Sequence, residues 1–113
     1  MAVLVTPKEI VVFRANAGHA PFEVWLDDLN DKRAIARVLA RLARVRQGNL
    51  GDCKPVGEGV SELRVDYGPG YRIYFGQQDR ALIVLLCGGD KRTQERDIRL
   101  AKQYWHEFKA NEL

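Results

Sequence analysis

The spacing of apolar residues changes once along this chain, and that change constrains the fold more than any other feature. Between residues 21 and 46 apolar side chains recur every three or four positions, which is typical of amphipathic helices. Between residues 62 and 87 they alternate or run continuously, as they do in strands. A β-branched run, "EIVVFR", precedes these segments and a last helical stripe follows them. The order β-α-α-β-β-β-α predicts an α+β fold, with helices packed on a small antiparallel sheet.

The second predicted helix combines an apolar stripe with a basic face. Asn30 or Asp31 is the expected N-cap, and Gly48 is the expected left-handed cap after its end. The stripe that we expect to be buried consists of Ile35, Val38, Leu39, Leu42 and Val45. Four arginines follow roughly the opposite face, namely Arg33, Arg37, Arg41 and Arg44. No acid balances them after Asp31, so this face suits a phosphate-rich surface or an acidic partner, although solvated helix faces often carry arginine.

The second half of the chain predicts a meander of three antiparallel strands. Strand alternation puts five polar side chains on one face of the meander. They are Glu62, Arg64, Asp66, Arg72 and Tyr74. Patterning alone favours a solvated surface with cross-strand ion pairs. The alternative is an open basic and aromatic face that holds RNA by phosphate pairing and base stacking.

The last strand of this meander and the segments before and after the meander have sequence patterns of their own. Residues 49–60, "NLGDCKPVGEGV", predict a glycine-rich connector. Residues 81–87, "ALIVLLC", are apolar throughout, as expected of an interior strand covered on both faces. In "GGDKR", residues 88–92, the two glycines allow close backbone approach or positive φ, and Asp90, Lys91 and Arg92 emerge at the rim of the sheet. Asp90 or Thr93 is expected to cap the last helix.

Length and composition exclude several classes of protein. A chain of 113 residues is enough for one domain, residues 1–113, and for a single core. No apolar run approaches the ~20 residues that span a bilayer, and the N-terminus lacks a signal-peptide pattern. The two cysteines have no metal-binding or disulfide spacing, so we expect a reducing, cytoplasmic setting. No motif indicates a metal ion, a nucleotide or another cofactor.

An ordered set of short motifs resembles a known family. The set "GN-GD-KPVGEGV-ELR-GPGYR-GGDK-TQ-DI" is similar to the addiction-module killer proteins, a HigB-like branch of the RelE/ParE toxin superfamily, over roughly residues 10–108. The resemblance implies a RelE/ParE-like fold and a helix-turn-helix antitoxin, with operator DNA bound only through the antitoxin complex. In many relatives it also implies metal-independent cleavage of mRNA on the ribosome, which inhibits translation.

The resemblance also implies where the functional residues lie. Arg72 matches the arginine after the glycine turn, and Arg64 lies where relatives place a basic residue. Lys91 or Arg92 corresponds to the basic residue after the last strand. The general base is left open among four residues, Glu62, Asp90, Tyr71 and Tyr74. Contacts to ribosomal RNA are expected from Arg33, Arg37, Arg41, Arg44 and Lys54.

Two alternatives share the implied fold. One is a ParE-like protein that inhibits DNA gyrase by binding and cleaves nothing. The other is an inactive relative that retains only antitoxin binding. Arg64, Arg72 and the segment "GDKR" favour the ribonuclease over the ParE-like inhibitor, which lacks a catalytic basic cluster.

Overall fold

The computed structural model describes residues 7–111, so residues 1–6 and 112–113 of the predicted domain lie outside it. In chain order its helices and strands are β1 Glu9–Val12, α1 Pro21–Asp27, α2 Lys32–Arg46, β2 Cys53–Gly57, β3 Val60–Val65, β4 Tyr71–Gln78, β5 Leu82–Asp90 and α3 Gln94–Ala110. Short 3₁₀ turns, Asn16–Gly18 and Lys91–Thr93, precede α1 and α3. No helix within this range is both long and apolar enough to cross a membrane.

The five strands form one sheet in the order β1-β5-β4-β3-β2. The predicted antiparallel meander is confirmed as β3, β4 and β5. The prediction of a wholly antiparallel sheet is wrong, because β1 pairs with β5 in parallel. A parallel pair of strands needs a long connection, and here two helices and three strands lie between β1 and β5 in the sequence.

The predicted connector contains a strand, so the predicted element order lacked one member. β2 pairs antiparallel with β3 through Cys53↔Leu63 and Lys54↔Glu62. The turn between them has three consecutive residues in the left-handed region, at φ +104, +55 and +85 for Gly57, Glu58 and Gly59. Glycine tolerates such angles at no steric cost, and the sequence "GEG" therefore closes a tight hairpin rather than an open loop.

Helices cover both faces of the sheet and form two apolar clusters. On one face α1 and α2 pack against the sheet through Phe22, Val38, Leu42, Val45, Leu63, Ile73 and Phe75. On the other face α3 packs through Ala101 and Trp105 against Tyr74, Val84 and Leu86. β5 is therefore covered on both sides, as its continuous apolar sequence predicts.

Two glycines let the tryptophans approach the sheet closely. A Cβ atom at Gly76 would collide with the Trp105 indole, and one at Gly88 would collide with Trp25. The close approach predicted at the "GG" of residues 88–89 is confirmed. These contacts fix α1 and α3 at short distances from the sheet.

α2 begins and ends where its sequence predicts, but its buried face differs from the predicted one, since Ala34 is buried and Ile35 is only half-buried. The Asp31 carboxylate caps it by accepting from the backbone N–H of Arg33 at 3.0 Å, and Gly48 follows its end at φ +94. The prediction that Leu39 is buried is wrong, because its relative exposure is 51%. Arg41 is buried in its place, with a relative exposure of 9%.

Candidate active site

A surface cleft of about 350 Å³ lies where β3 ends and β4 begins. Three cationic side chains line it, those of Arg64, Arg72 and Lys91. The turn "GPG", residues 68–70, forms one wall, and both of its glycines are left-handed, at φ +56 and +82. The sheet and its rim thus bring together the cations that the sequence analysis placed there.

Strand register explains why two arginines share the cleft. Arg64 of β3 and Arg72 of β4 are direct cross-strand partners, so their side chains project from the same face. Like charges in that position repel each other. The Glu62 carboxylate compensates, because its Oε1 lies 3.3 Å from Arg64 Nε and 3.7 Å from Arg72 Nε.

The predicted polar face is not open along its whole length, and this corrects two site assignments. α3 covers Glu62 and Tyr74, and each has a relative exposure of 0%. The Tyr74 hydroxyl donates to Glu62 Oε2 at 3.2 Å. Burial, together with the nearby Glu62 carboxylate, raises the pKa of Tyr74 well above its usual range, so the phenol keeps its proton. Neither residue contacts the solvent, and we therefore assign neither a direct contact with substrate.

The other two predicted base candidates also lie away from the cleft lining. Asp90 accepts from the backbone N–H of Arg92 at 2.8 Å and forms an ion pair with its side chain at 3.1 Å. Side-chain hydrogen bonding from Arg92 holds the pKa of Asp90 below its usual value. Tyr71 packs in the core on the opposite face, edge-on to Trp25, and burial raises its pKa.

The 3₁₀ turn after β5 determines which of the two basic residues at the rim, Lys91 or Arg92, lines the cleft. Asp90 caps that turn through Arg92, and Thr93 completes a capping box with the Asp90 backbone. The side-chain capping expected at the last helix is therefore found at this 3₁₀ turn, whereas Thr93, the N-cap of α3, makes no capping hydrogen bond to that helix. Lys91 lines the cleft, whereas Arg92 is engaged by Asp90.

Two carboxylates that the sequence analysis did not propose as bases line the cleft. Asp66 follows β3 and Asp52 precedes β2, and both are exposed. Alternation along β3 already placed Asp66 on the face of Arg64. No pattern could place Asp52, because its position depends on the unpredicted strand β2.

Arg41 is the main correction to the predicted RNA-binding face. Its Nε donates to the backbone carbonyl of Arg64 at 3.2 Å. Its Nη2 donates to the carbonyls of Leu50 and Asp52 at 3.0 and 3.1 Å. Gly51 packs on the guanidinium so closely that an added Cβ would lie 2.8 Å from Nη1. Arg41 therefore braces the wall of the cleft, and the prediction that it lies on the exposed basic face is wrong.

The rest of the basic face is exposed as predicted. Arg33, Arg37 and Arg44 lie on the solvent side of α2, and Lys54 is exposed on β2. The Arg37 guanidinium lies over the Tyr67 ring, 5.2 Å from its centroid. Because Tyr67 follows the cleft residue Asp66, this contact joins the basic face of α2 to the edge of the cleft.

Histidine, cysteine, aspartate and glutamate do not cluster into a metal-binding group anywhere in residues 7–111.

Two comparisons relate the chain to known proteins. A family model described as "Phage derived protein Gp49-like (DUF891)" matches residues 24–106, from α1 to the last turns of α3. The chain is also similar to an uncharacterized protein of Haemophilus influenzae, strain Rd. The two are 51% identical over 81 residues, which is 72% of this chain and 82% of the relative. The range that the family model matches includes all three cationic residues of the cleft, Arg64, Arg72 and Lys91.

Proposed function

Because the chain belongs to the Gp49-like family of phage-derived proteins, we propose that it is the toxin of a toxin–antitoxin pair and cleaves mRNA on the ribosome. The Gp49-like family is associated with toxins of such pairs. The observation that carries the ribonuclease proposal is the cleft itself, in which Arg64, Arg72 and Lys91 surround a space suited to a phosphodiester. Cationic side chains in fixed positions stabilise the charge that develops on phosphate during cleavage.

The proposed reaction uses the RNA's own ribose as the nucleophile. The 2′-oxygen forms a bond to the adjacent phosphorus, and the bond from phosphorus to the 5′-oxygen of the next nucleotide breaks. The 2′-hydroxyl proton goes to a base, and the leaving 5′-oxygen takes a proton from solvent water. The products are a 2′,3′-cyclic phosphate and a 5′-hydroxyl.

The cleft offers groups that would bind the phosphate and accept the 2′-hydroxyl proton. Arg72, with a side-chain exposure of 13%, and Arg64, at 34%, would hold the phosphate from the floor of the cleft. Lys91 would contact it from the rim. Asp52 or Asp66 would accept the 2′-hydroxyl proton, since these are the carboxylates that line the cleft. Arginine itself is an unsuitable base because its pKa exceeds ~12.

The exposed basic face would position the toxin on its target. Arg33, Arg37, Arg44 and Lys54 are exposed and do not line the cleft, and such cationic side chains suit the phosphates of ribosomal RNA. A helix-turn-helix antitoxin in the cytoplasm would neutralise the toxin, and operator DNA would be bound only by the pair. We expect the association with ribosomal RNA to weaken steeply with added salt.

Mapping of mRNA 5′ ends by primer extension after brief induction in cells tests the proposal. The wild-type protein should produce discrete cuts inside translated reading frames. Arg72→Ala should reduce them about 100-fold or more, as expected on removal of one charge-stabilising donor. The matched control is Arg80→Ala, an exposed arginine between β4 and β5, at the opposite end of β4 from the cleft, and it should cut like the wild type.

Two results would contradict the proposal in different ways. Undiminished cutting by a folded Arg72→Ala variant would refute the site. Intact mRNA together with trapped DNA gyrase would instead support a toxin that acts by binding alone.

A further inference from the structure

We propose that Glu62 is a positioning residue, which holds Arg64 and Arg72 by their Nε atoms so that their terminal nitrogens face the phosphodiester. Gln94, the first residue of α3, holds the carboxylate in turn. The inference rests on the proposed function, because it takes an RNA phosphodiester as the ligand of those terminal nitrogens. Glu62 thereby acts through the arginines and does not contact the RNA.

The two oxygens of Glu62 have different partners. Oε1 faces both arginines, at 3.3 Å from Arg64 Nε and 3.7 Å from Arg72 Nε. Oε2 accepts from Gln94 Nε2 at 2.7 Å and from the Tyr74 hydroxyl at 3.2 Å. A buried carboxylate with partners on both oxygens has little freedom to rotate.

The contacts at Nε leave the rest of each guanidinium for the cleft. Arginine carries five N–H donors in a planar fork, one on Nε and four on the two terminal nitrogens. Within the part of the chain that the structure describes, Arg64 and Arg72 donate no hydrogen bond through a terminal nitrogen. Both residues line the cleft. A single carboxylate behind two paired arginines therefore sets the direction of both forks.

Arg72 depends on this arrangement more than Arg64 does. Its side chain is 13% exposed, against 34% for Arg64, and its Nε is buried without a hydrogen bond. Only the ion pair with Glu62 holds that nitrogen among the described residues. Removing the charge of Glu62 should consequently disturb Arg72 first.

The charge of Glu62 allows a positioning role to be distinguished from a purely structural one by experiment. Glu62→Gln keeps the size of the side chain and removes one negative charge from behind the cleft. Electrostatics alone predicts that RNA binding stays equal or tightens. If Arg64 and Arg72 lose their orientation in Glu62→Gln, turnover should fall, because misplaced charge-stabilising donors lower the rate of cleavage. If Glu62 only maintained the fold, Glu62→Gln would lower RNA affinity and turnover together.

Gln94 provides a second, milder variant. It is half-buried, and Gln94→Ala removes one hydrogen bond to Glu62 without changing any charge. The matched control is Gln103→Ala, since Gln103 is an exposed glutamine on the same helix. A positioning role predicts a turnover defect for Gln94→Ala and none for Gln103→Ala.

The test measures single-turnover cleavage of ribosome-bound mRNA, binding of a single-stranded RNA oligonucleotide, and melting temperature for the wild type and these three variants. We expect turnover about tenfold lower or more for Glu62→Gln, with RNA affinity equal or tighter, and a smaller loss for Gln94→Ala. The pH–rate profile should keep its shape. Wild-type turnover in Glu62→Gln would overturn the proposal. Loss of one limb of the pH–rate profile in this variant would also overturn it, because that result would make Glu62 the base.

Side-chain NMR separates a failure of this inference from a failure of the proposed function. The Nε–H signals of Arg64 and Arg72 should exchange slowly with water in the wild type and faster in Glu62→Gln and Gln94→Ala. This readout requires no cleavage, so it decides the arrangement even if the protein cuts no RNA. If Glu62→Gln fails to fold, the same exchange measurement on Gln94→Ala still tests the arrangement. Unchanged exchange in a folded variant would refute the positioning role.

Discussion

Replacement of Arg41 by methionine tests the buried, bridging role of this arginine, which sequence periodicity places on the exposed face. Methionine keeps the length and helix propensity of the side chain but removes its donors. The guanidinium donates to three backbone carbonyls, at 3.0, 3.1 and 3.2 Å, and each bond from a charged donor contributes about 1.5–3 kcal/mol. Leu50 and Asp52 lie near the surface, where water replaces part of that contribution. We therefore expect a total loss of about 3 kcal/mol.

The expected loss is large enough to measure by thermal and urea unfolding. With an unfolding entropy of about 2.1 cal/mol/K per residue, the melting temperature should fall by about 13 °C. The matched control is Arg44→Met, one turn along the same helix, where the side chain is exposed and the change should stay within about 0.5 kcal/mol. Equal melting temperatures for the two variants would refute the buried, bridging role of Arg41.

Two further substitutions test contacts elsewhere in the fold. Arg92 depresses the pKa of Asp90, so the stabilisation by Asp90 is complete above the unfolded pKa of about 3.9 and is lost as the pH falls through the lower folded value. Asp90→Ala should therefore cost about 1 kcal/mol near pH 6 and less near pH 2 in urea titrations, and a pH-independent cost would contradict the ion pair. Gly76→Ala places a methyl group against Trp105 and should cost about 1–3 kcal/mol in the same assay, whereas wild-type stability would mean that α3 packs differently.

Local signals in the sequence are sufficient for the helices and for the meander. Asp31 and Gly48 bound α2 because capping needs only neighbouring residues. Alternation places Arg64 and Arg72 on one face, since strand periodicity fixes the side of each residue once the core side is known. Strand periodicity alone therefore predicts that Arg64 and Arg72 share a face, whereas their direct pairing depends on the register between β3 and β4.

Other features depend on contacts between distant segments. β2 has no alternating pattern, and Pro55 is tolerated there because the strand lies at the edge of the sheet. Arg41 is buried because carbonyls from the segment before β2 and from β3 converge on it. Glu62 and Tyr74 are buried because α3 lies across them. Periodicity in one segment contains no information about any of these three arrangements.

Cleavage of an mRNA with a single 2′-deoxynucleotide at the cut site tests the central claim most directly. Ribosomes programmed with the all-ribose mRNA and with the substituted mRNA are each treated with the purified protein, and the 5′ ends are mapped. Attack by the 2′-oxygen, stabilised by Arg64, Arg72 and Lys91, predicts a cut in the first mRNA and none at that position in the second. Equal cutting of both, or of neither, would contradict the proposed reaction.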